Sequence, residues 1–316
     1  MKYYIGVDIG GMSIKAGVVN SNGEIIAKES CVTRVGEGYK VIVKDIYELC
    51  EKVISKANLT KSDVVAVGMG SPGTVNGAKG IITFAGNLNF KKVAIIKEFN
   101  KYWAVKAVVN NDANCAALGE ARFSGIENLK NSVFVTLGTG VGTGFIIDGK
   151  IFEGVNGEGA EGGHICIRFN GEKCTCGQKG CWEAYASATA LLRQTQKAMD
   201  KNPDSLMHKL VEEKGALDGT VPFEAYLAGD KAATKVIKTY VKYVATGIVT
   251  LVNIFRPEVV FIGGGVSNAG DYFIKMIEKE VNKNVFGGKI NKKPTILKAK
   301  LGNDAGIVGA CAPVMD

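Results

Sequence analysis

A short unit occurs twice in this chain, and it limits the possible folds more than any other feature. Asp8-Ile9-Gly10-Gly11 closes an apolar stretch and is followed by Asn22-Gly23; Gly138-Thr139-Gly140 closes another and is followed by Asp148-Gly149. Each copy reads as a strand ending in glycines, then a hairpin carrying an Asx-Gly turn signal. Such an echo predicts two halves built on one plan. The chain's 316 residues make room for them at roughly 150 residues per domain. Its 41 glycines against 6 prolines, with no collagen period, suggest many tight turns and close backbone approaches to a ligand.

Hydrophobic residues at 46% and charged residues at 22% sit near soluble globular averages and exclude a disordered chain. The longest apolar stretch, residues 245–255, is interrupted by Thr246, Gly247, Thr250 and Asn253, well short of the roughly 20 residues a membrane span needs. Asp8 falls inside the opening apolar run and no small-residue cleavage site follows it, so the sequence predicts no secretory signal and a cytoplasmic location. The net charge of +8 has no basic run interleaved with aromatics, which favours a solvated lysine surface over a nucleic-acid surface. Eight cysteines are too sparse for a disulfide scaffold, and the three at 174, 176 and 181 point instead to metal binding.

Alternation and turn signals predict strands at 2–8, 13–20 and 24–33. A helix is predicted over 39–58, where Val43, Ile46, Leu49, Val53 and Ala57 recur at spacings of three and four and mark one buried face. A strand at 64–68, a helix at 93–103, a strand at 105–109 and an alanine-rich helix from Asp112 to about Phe123 follow. The second cycle has strands at 133–137, 145–147 and 150–152. Beyond it come helices at 182–201 and 231–255, a strand at 259–262, a helix at 272–285 and a strand at 295–301. Residues 202–219 read as polar surface helix and loop, with His208 an ordinary surface histidine. This order implies a parallel or mixed sheet covered by helices, an α/β fold.

Three glycine-rich loops follow apolar strands. At the first, exposed N–H groups of Gly10, Gly11 and their neighbours could surround phosphate oxygens while Asp8 holds a magnesium ion through water; a plain glycine hairpin would explain the same residues alone. The second, residues 137–144, is denser in glycine than a hairpin needs, and Gly138, Thr139 and Gly140 offer donors unobstructed by side chains. The third holds Gly263, Gly264 and Gly265. Three such loops suggest one nucleotide held between two lobes. In Asn110-Asn111-Asp112, a carboxylate at a strand-to-helix junction could accept a hydroxyl proton, as phosphoryl transfer requires, or could simply cap the helix.

His164, Cys174, Cys176 and Cys181 supply one imidazole and three thiols, the donor set of a closed structural zinc site; three buried free thiols are the alternative. Glu161 and Glu183 flank that segment, where a metal would fix them toward sugar hydroxyls.

Taken together, Asp8-Ile9-Gly10-Gly11, residues 110–114, residues 159–164 and the run from Cys174 to Glu183 resemble the ROK family of sugar kinases and repressors, over nearly the whole chain and most closely its bacterial glucokinases. The resemblance implies an actin-like ATPase (RNase H-like) fold, two α/β lobes around a central cleft. The lobes would be residues 1–113 plus 302–316 and residues 114–301, the latter carrying a zinc-binding segment at 164–181, with a C-terminal helix over 304–314 returning to the first. It implies transfer of the γ-phosphoryl of MgATP to the 6-hydroxyl of glucose, with Asp112 as general base. Sugar contacts would be Gly73, Asn87, Asn111, Asp112, Glu161, His164 and Glu183. ATP contacts would be Asp8, Gly10, Gly11, Ser13, Lys15, Gly138, Thr139, Gly140, Gly264 and Gly265. Structural zinc would be held by His164, Cys174, Cys176 and Cys181, and the family suggests a homodimer acting in carbohydrate metabolism.

The first phosphate loop departs from the family: Met12 stands where a threonine is usual, and Ser13 or the backbone would replace the lost hydroxyl. Kinases for N-acetylmannosamine, N-acetylglucosamine, fructose or allose, or a polyphosphate-dependent glucokinase, are the near alternatives. A sugar-responsive repressor is disfavoured, because Asp8 lies seven residues from the start and leaves no room for a helix-turn-helix.

Overall fold

The computed structural model describes residues 2–288 and 290–315. Met1 and Asp316, the outermost residues of the expected first lobe, lie outside them. Strands β1 (Tyr3–Ile9), β2 (Ser13–Asn20) and β3 (Ile25–Val32) lead to helix α1 (Tyr39–Lys56). Then come β4 (Val64–Ser71), β5 (Thr74–Asn76), β6 (Ile81–Ala85), β7 (Phe90–Val93), α2 (Ile95–Phe99), β8 (Lys106–Asn111) and α3 (Asp112–Phe123). The second run opens with β9 (Ser132–Leu137), β10 (Val141–Ile147) and β11 (Lys150–Ile151). It continues through α4 (Glu183–Ala186), α5 (Ala188–Met199), α6 (Leu206–Lys214), α7 (Val221–Leu227) and α8 (Lys231–Phe255). It ends with β12 (Val259–Gly263), α9 (Asp271–Asn284), β13 (Thr295–Lys298) and α10 (Ala305–Cys311).

Two five-stranded sheets share one order: β3-β2-β1-β4-β8 and β11-β10-β9-β12-β13. In the first, β1, β2 and β3 pair antiparallel and β1, β4 and β8 parallel. In the second, β10 pairs antiparallel with β11, and β12 parallel with β13. The repeated hairpin unit is therefore the visible trace of a duplicated sheet plan. Both meanders turn at Asn-Gly or Asp-Gly, as that dipeptide's tolerance of positive φ allows.

The chain forms two compact units, residues 1–134, 144–160 and 299–316 and residues 135–143 and 161–298, set beside the boundaries at 113 and 302 expected from the sequence. In the first unit Ile42, Val43, Ile46, Leu49 and Val53 of α1 are buried with Ile5, Val7, Ile14 and Val18 of the sheet. Helix α10 covers the sheet's other face. A Cβ on Gly68 would lie 1.7 Å from the Ala310 carbonyl oxygen and one on Gly6 1.9 Å from that of Ile307, so α10 approaches β1 and β4 only because these strands carry glycine there. In the second unit Trp182 is fully buried, its indole N–H donating to the Tyr243 carbonyl of α8 at 2.9 Å.

Three expectations need correction. The helix expected at 93–103 is a short α2 of five residues, because Phe90–Val93 belongs to a third, three-stranded sheet, β5-β6-β7. The helix expected at 182–201 breaks at Ser187, whose extended backbone and side chain, accepting from the Ala190 N–H at 3.1 Å, start α5 afresh. The strand expected at 295–301 stops at Lys298.

Candidate active site

Within the first unit, β8 delivers Asn110 and Asn111 to the first turn of α3, where Asp112 is the first helical residue. The Asn111 carboxamide caps that helix, its oxygen accepting from Ala113 N–H at 2.9 Å and Asn114 N–H at 3.2 Å, while its amide donates to the Gly73 carbonyl at 3.0 Å. Asp112 also accepts from Ala113 N–H, at 2.8 Å. The carboxylate thus lies at the positive end of the α3 dipole. Asn111 and Gly73 therefore meet directly. Asn87 lies on an exposed turn against Gly11, where an added Cβ would lie 3.1 Å from the Asn87 Cβ.

The first glycine loop is closed by Gly10 N–H donating to Ser13 O at 3.0 Å and by the Thr33 hydroxyl donating to Gly10 O at 2.6 Å. Met12 points away from that framework, 88% exposed, and Ser13 opens β2. Asp8 is mostly covered, its carboxyl 3.9 Å from Lys15 Nζ. Burial raises its pKa above the ordinary aspartate value, and Lys15 pulls the other way.

Within the second unit, the loop from Gly138 to Gly140 is tied to α5: Ala188 N–H donates to Gly138 O at 2.7 Å and the Thr189 hydroxyl to Thr139 O at 2.9 Å. Gly264 of the third loop packs so closely on Leu137 that an added Cβ would fall 2.5 Å from its carbonyl. Beside Gly265 lies a cavity of about 400 Å³ with Phe223, Leu227, Val266 and Tyr272 in its wall. The Tyr272 hydroxyl is buried without a hydrogen-bond partner among the described residues. Sequence reasoning missed this cavity. Its walls come from α7, unassigned in the sequence, and from the residues after the third glycine loop.

His164, Cys174, Cys176 and Cys181 converge, with one donor atom from each lying within 4.8 Å of all the others. Cys174 Sγ is 3.7 Å from His164 Nδ1, and Cys176 Sγ is 3.7 Å from Cys181 Sγ. A tetrahedron with Zn–S bonds of about 2.3 Å has S···S edges of ~3.8 Å, so spacing and donor set both fit a closed zinc site. Glu183 follows directly. One of its oxygens accepts from Val141 N–H at 3.0 Å and the other from the Thr175 hydroxyl at 3.0 Å and Cys174 Sγ at 3.6 Å. The glutamate expected as a sugar contact thus also ties the second glycine loop to the cysteine cluster. That tie requires glycine at 140, where a Cβ would sit 2.3 Å from Glu183 Oε2. Glu161 keeps an exposed surface, yet desolvation holds its carboxyl above the usual range; His164 opposes that shift and the Glu183 charge adds a smaller push upward. His208 bridges the carbonyls of Met199 and Asn202, both at 3.2 Å, and stands outside this constellation.

The sequence model of the ROK family matches residues 4–316. A glucokinase of Halalkalibacterium halodurans is 34% identical over 98% of this chain and 93% of its own length. A crystal structure of a ROK family glucokinase from Streptomyces griseus in complex with glucose and AMPPNP superposes with a TM-score of 0.83 at 33% identity, covering 99% of this chain and 98% of that one. A xylose repressor of Caldicellulosiruptor bescii is 29% identical over 97% of this chain and 76% of the repressor.

Proposed function

The chain belongs to the ROK family and has its actin-like ATPase fold, and from that premise we propose that it is an ATP-dependent sugar kinase, a glucokinase that converts glucose and MgATP to glucose 6-phosphate and ADP. The observation that carries this reading is the station of Asp112. A carboxylate on the first helical residue, flanked by an asparagine fixed to the Gly73 carbonyl, supports a general base that would take the proton of a sugar hydroxyl as the phosphoryl arrives. Phosphoryl transfer asks little covalent chemistry of the protein, so positioning and charge supply most of the catalysis.

Gly73, Asn87, Asn111, Asp112, Glu161, His164 and Glu183 would be the sugar contacts. His164 can hold the zinc through one ring nitrogen and a hydroxyl through the other. On the nucleotide, the backbone at Gly10, Gly11, Gly138, Thr139, Gly140, Gly264 and Gly265 would receive phosphate oxygens, together with Ser13 and Lys15. Asp8 would hold the magnesium ion through water. The apolar cavity beside Gly265 has walls suited to a nucleobase. Zinc, when bound, supplies structural cross-linking and no chemistry at the reacting phosphorus; His164, Cys174, Cys176 and Cys181 would hold it.

The test is a coupled ADP-release assay over glucose, fructose, allose, N-acetylglucosamine and N-acetylmannosamine, with ATP and with polyphosphate. Glucose with ATP is expected to turn over fastest. Turnover of an acetamido sugar with none of glucose would overturn the substrate, and turnover with polyphosphate alone would overturn the donor.

A further inference from the structure

Glu153 belongs to no motif singled out above, and Asn110 is the one residue of Asn110-Asn111-Asp112 given no role there, yet their side chains meet. Asn110 Nδ2 donates to Glu153 Oε1 at 2.5 Å. The Asn110 oxygen accepts from the backbone N–H of Asn111 at 2.7 Å and from Asn114 Nδ2 at 3.3 Å. The direction of this chain is fixed by chemistry. The Asn111 N–H can only donate, so the carboxamide oxygen must face it, and the amide must then face an acceptor. Asn110 is 8% exposed, so an amide turned the wrong way would leave buried groups unmatched.

The geometry points to Glu153 as a positioning residue for the base, an inference that rests on the Asp112 reading. By accepting from Asn110, Glu153 selects the carboxamide orientation that holds the Asn111 N–H. That N–H belongs to the residue whose side chain caps α3 and grips the Gly73 carbonyl, one position before Asp112. Glu153 accepts from Asn110 through its carboxylate and from the Gly159 N–H through its carbonyl, at 2.8 Å, and neither partner is an expected sugar or nucleotide contact. Its effect therefore passes through Asn111 to the base and the sugar side, and leaves MgATP binding unchanged.

The experiment measures kcat per active site and KM for glucose and MgATP in the full-length chain for Asn110→Asp, Glu153→Gln, their combination, and Asp112→Asn. Asn110→Asp sets a carboxylate against Glu153 and removes the donor. Its kcat is expected to fall about tenfold or more, with KM for MgATP within about threefold of wild type. Glu153→Gln keeps an acceptor oxygen and stays within about threefold. The combination restores the pair with the donor on the other side and the net charge unchanged, because the introduced aspartate accepts both from the Asn111 N–H and from the introduced amide opposite it. It is expected to recover to near the Glu153→Gln value. A combination as slow as Asn110→Asp, or an Asn110→Asp enzyme of normal kcat while Asp112→Asn is inactive, overturns the positioning role alone. An active Asp112→Asn enzyme removes the base and the inference with it.

Discussion

Ala160 shows how one residue can carry strain beside a candidate site residue. Its φ is +66°, a conformation that disfavours any side chain with a Cβ, and it directly precedes Glu161. Ala160→Gly should stabilise the protein by about 1 kcal/mol, read as a higher urea midpoint; an unchanged or lower midpoint would show the strain is absent. Glu120 gives a pH signature. It is fully buried, accepts from the N–H groups of Lys300 at 3.0 Å and Leu301 at 2.8 Å, and burial holds its pKa above the ordinary glutamate value. A raised native pKa means that the native state binds the proton more tightly than the unfolded chain. The contribution is fully present below the unfolded pKa and is lost as pH rises through the native one. Glu120→Gln cannot titrate, so the stability of wild type relative to this variant should fall as pH rises through that window. Stability curves that run parallel with pH would contradict the assignment.

At the scale of elements, the cysteine cluster and the second glycine loop act as one piece, because Glu183 bonds to both. Metal analysis should find about one zinc per chain. Cys176→Ser should lose it along with local folding energy on the order of 10 kcal/mol, raising KM for MgATP because Val141 loses its anchor. Zinc-free protein with a normal KM would refute the link. The convergence of those four donors was legible in the sequence because their chemistry is specific. So were β1–β3, α1, α3 and α8, whose spacing or capping signals are long and regular. The small sheet β5-β6-β7 was not, since three- to five-residue strands present too few alternations to be distinguished from turns. Nor was the kink at Ser187, a serine cap whose meaning depends on Trp182 being buried against α8. The Glu183–Val141 bond joins residues 42 apart and left no local trace.

Across the whole molecule, duplication is the governing feature: one strand order made twice, its first copy backed by a helix from the far end of the chain. Gly68 makes that return possible, and Gly68→Ala should cost about 3 kcal/mol, seen as a lower Tm, by driving α10 off the sheet. A Tm equal to wild type would mean that the contact is not tight. The fold places Asp112 where a strand of the first sheet hands over to a helix, and the account as a whole turns on that carboxylate. The most direct test is the kcat for MgATP and glucose of Asp112→Asn. A loss of about a thousandfold in a variant that keeps the wild-type Tm is predicted; turnover within tenfold of wild type would contradict it.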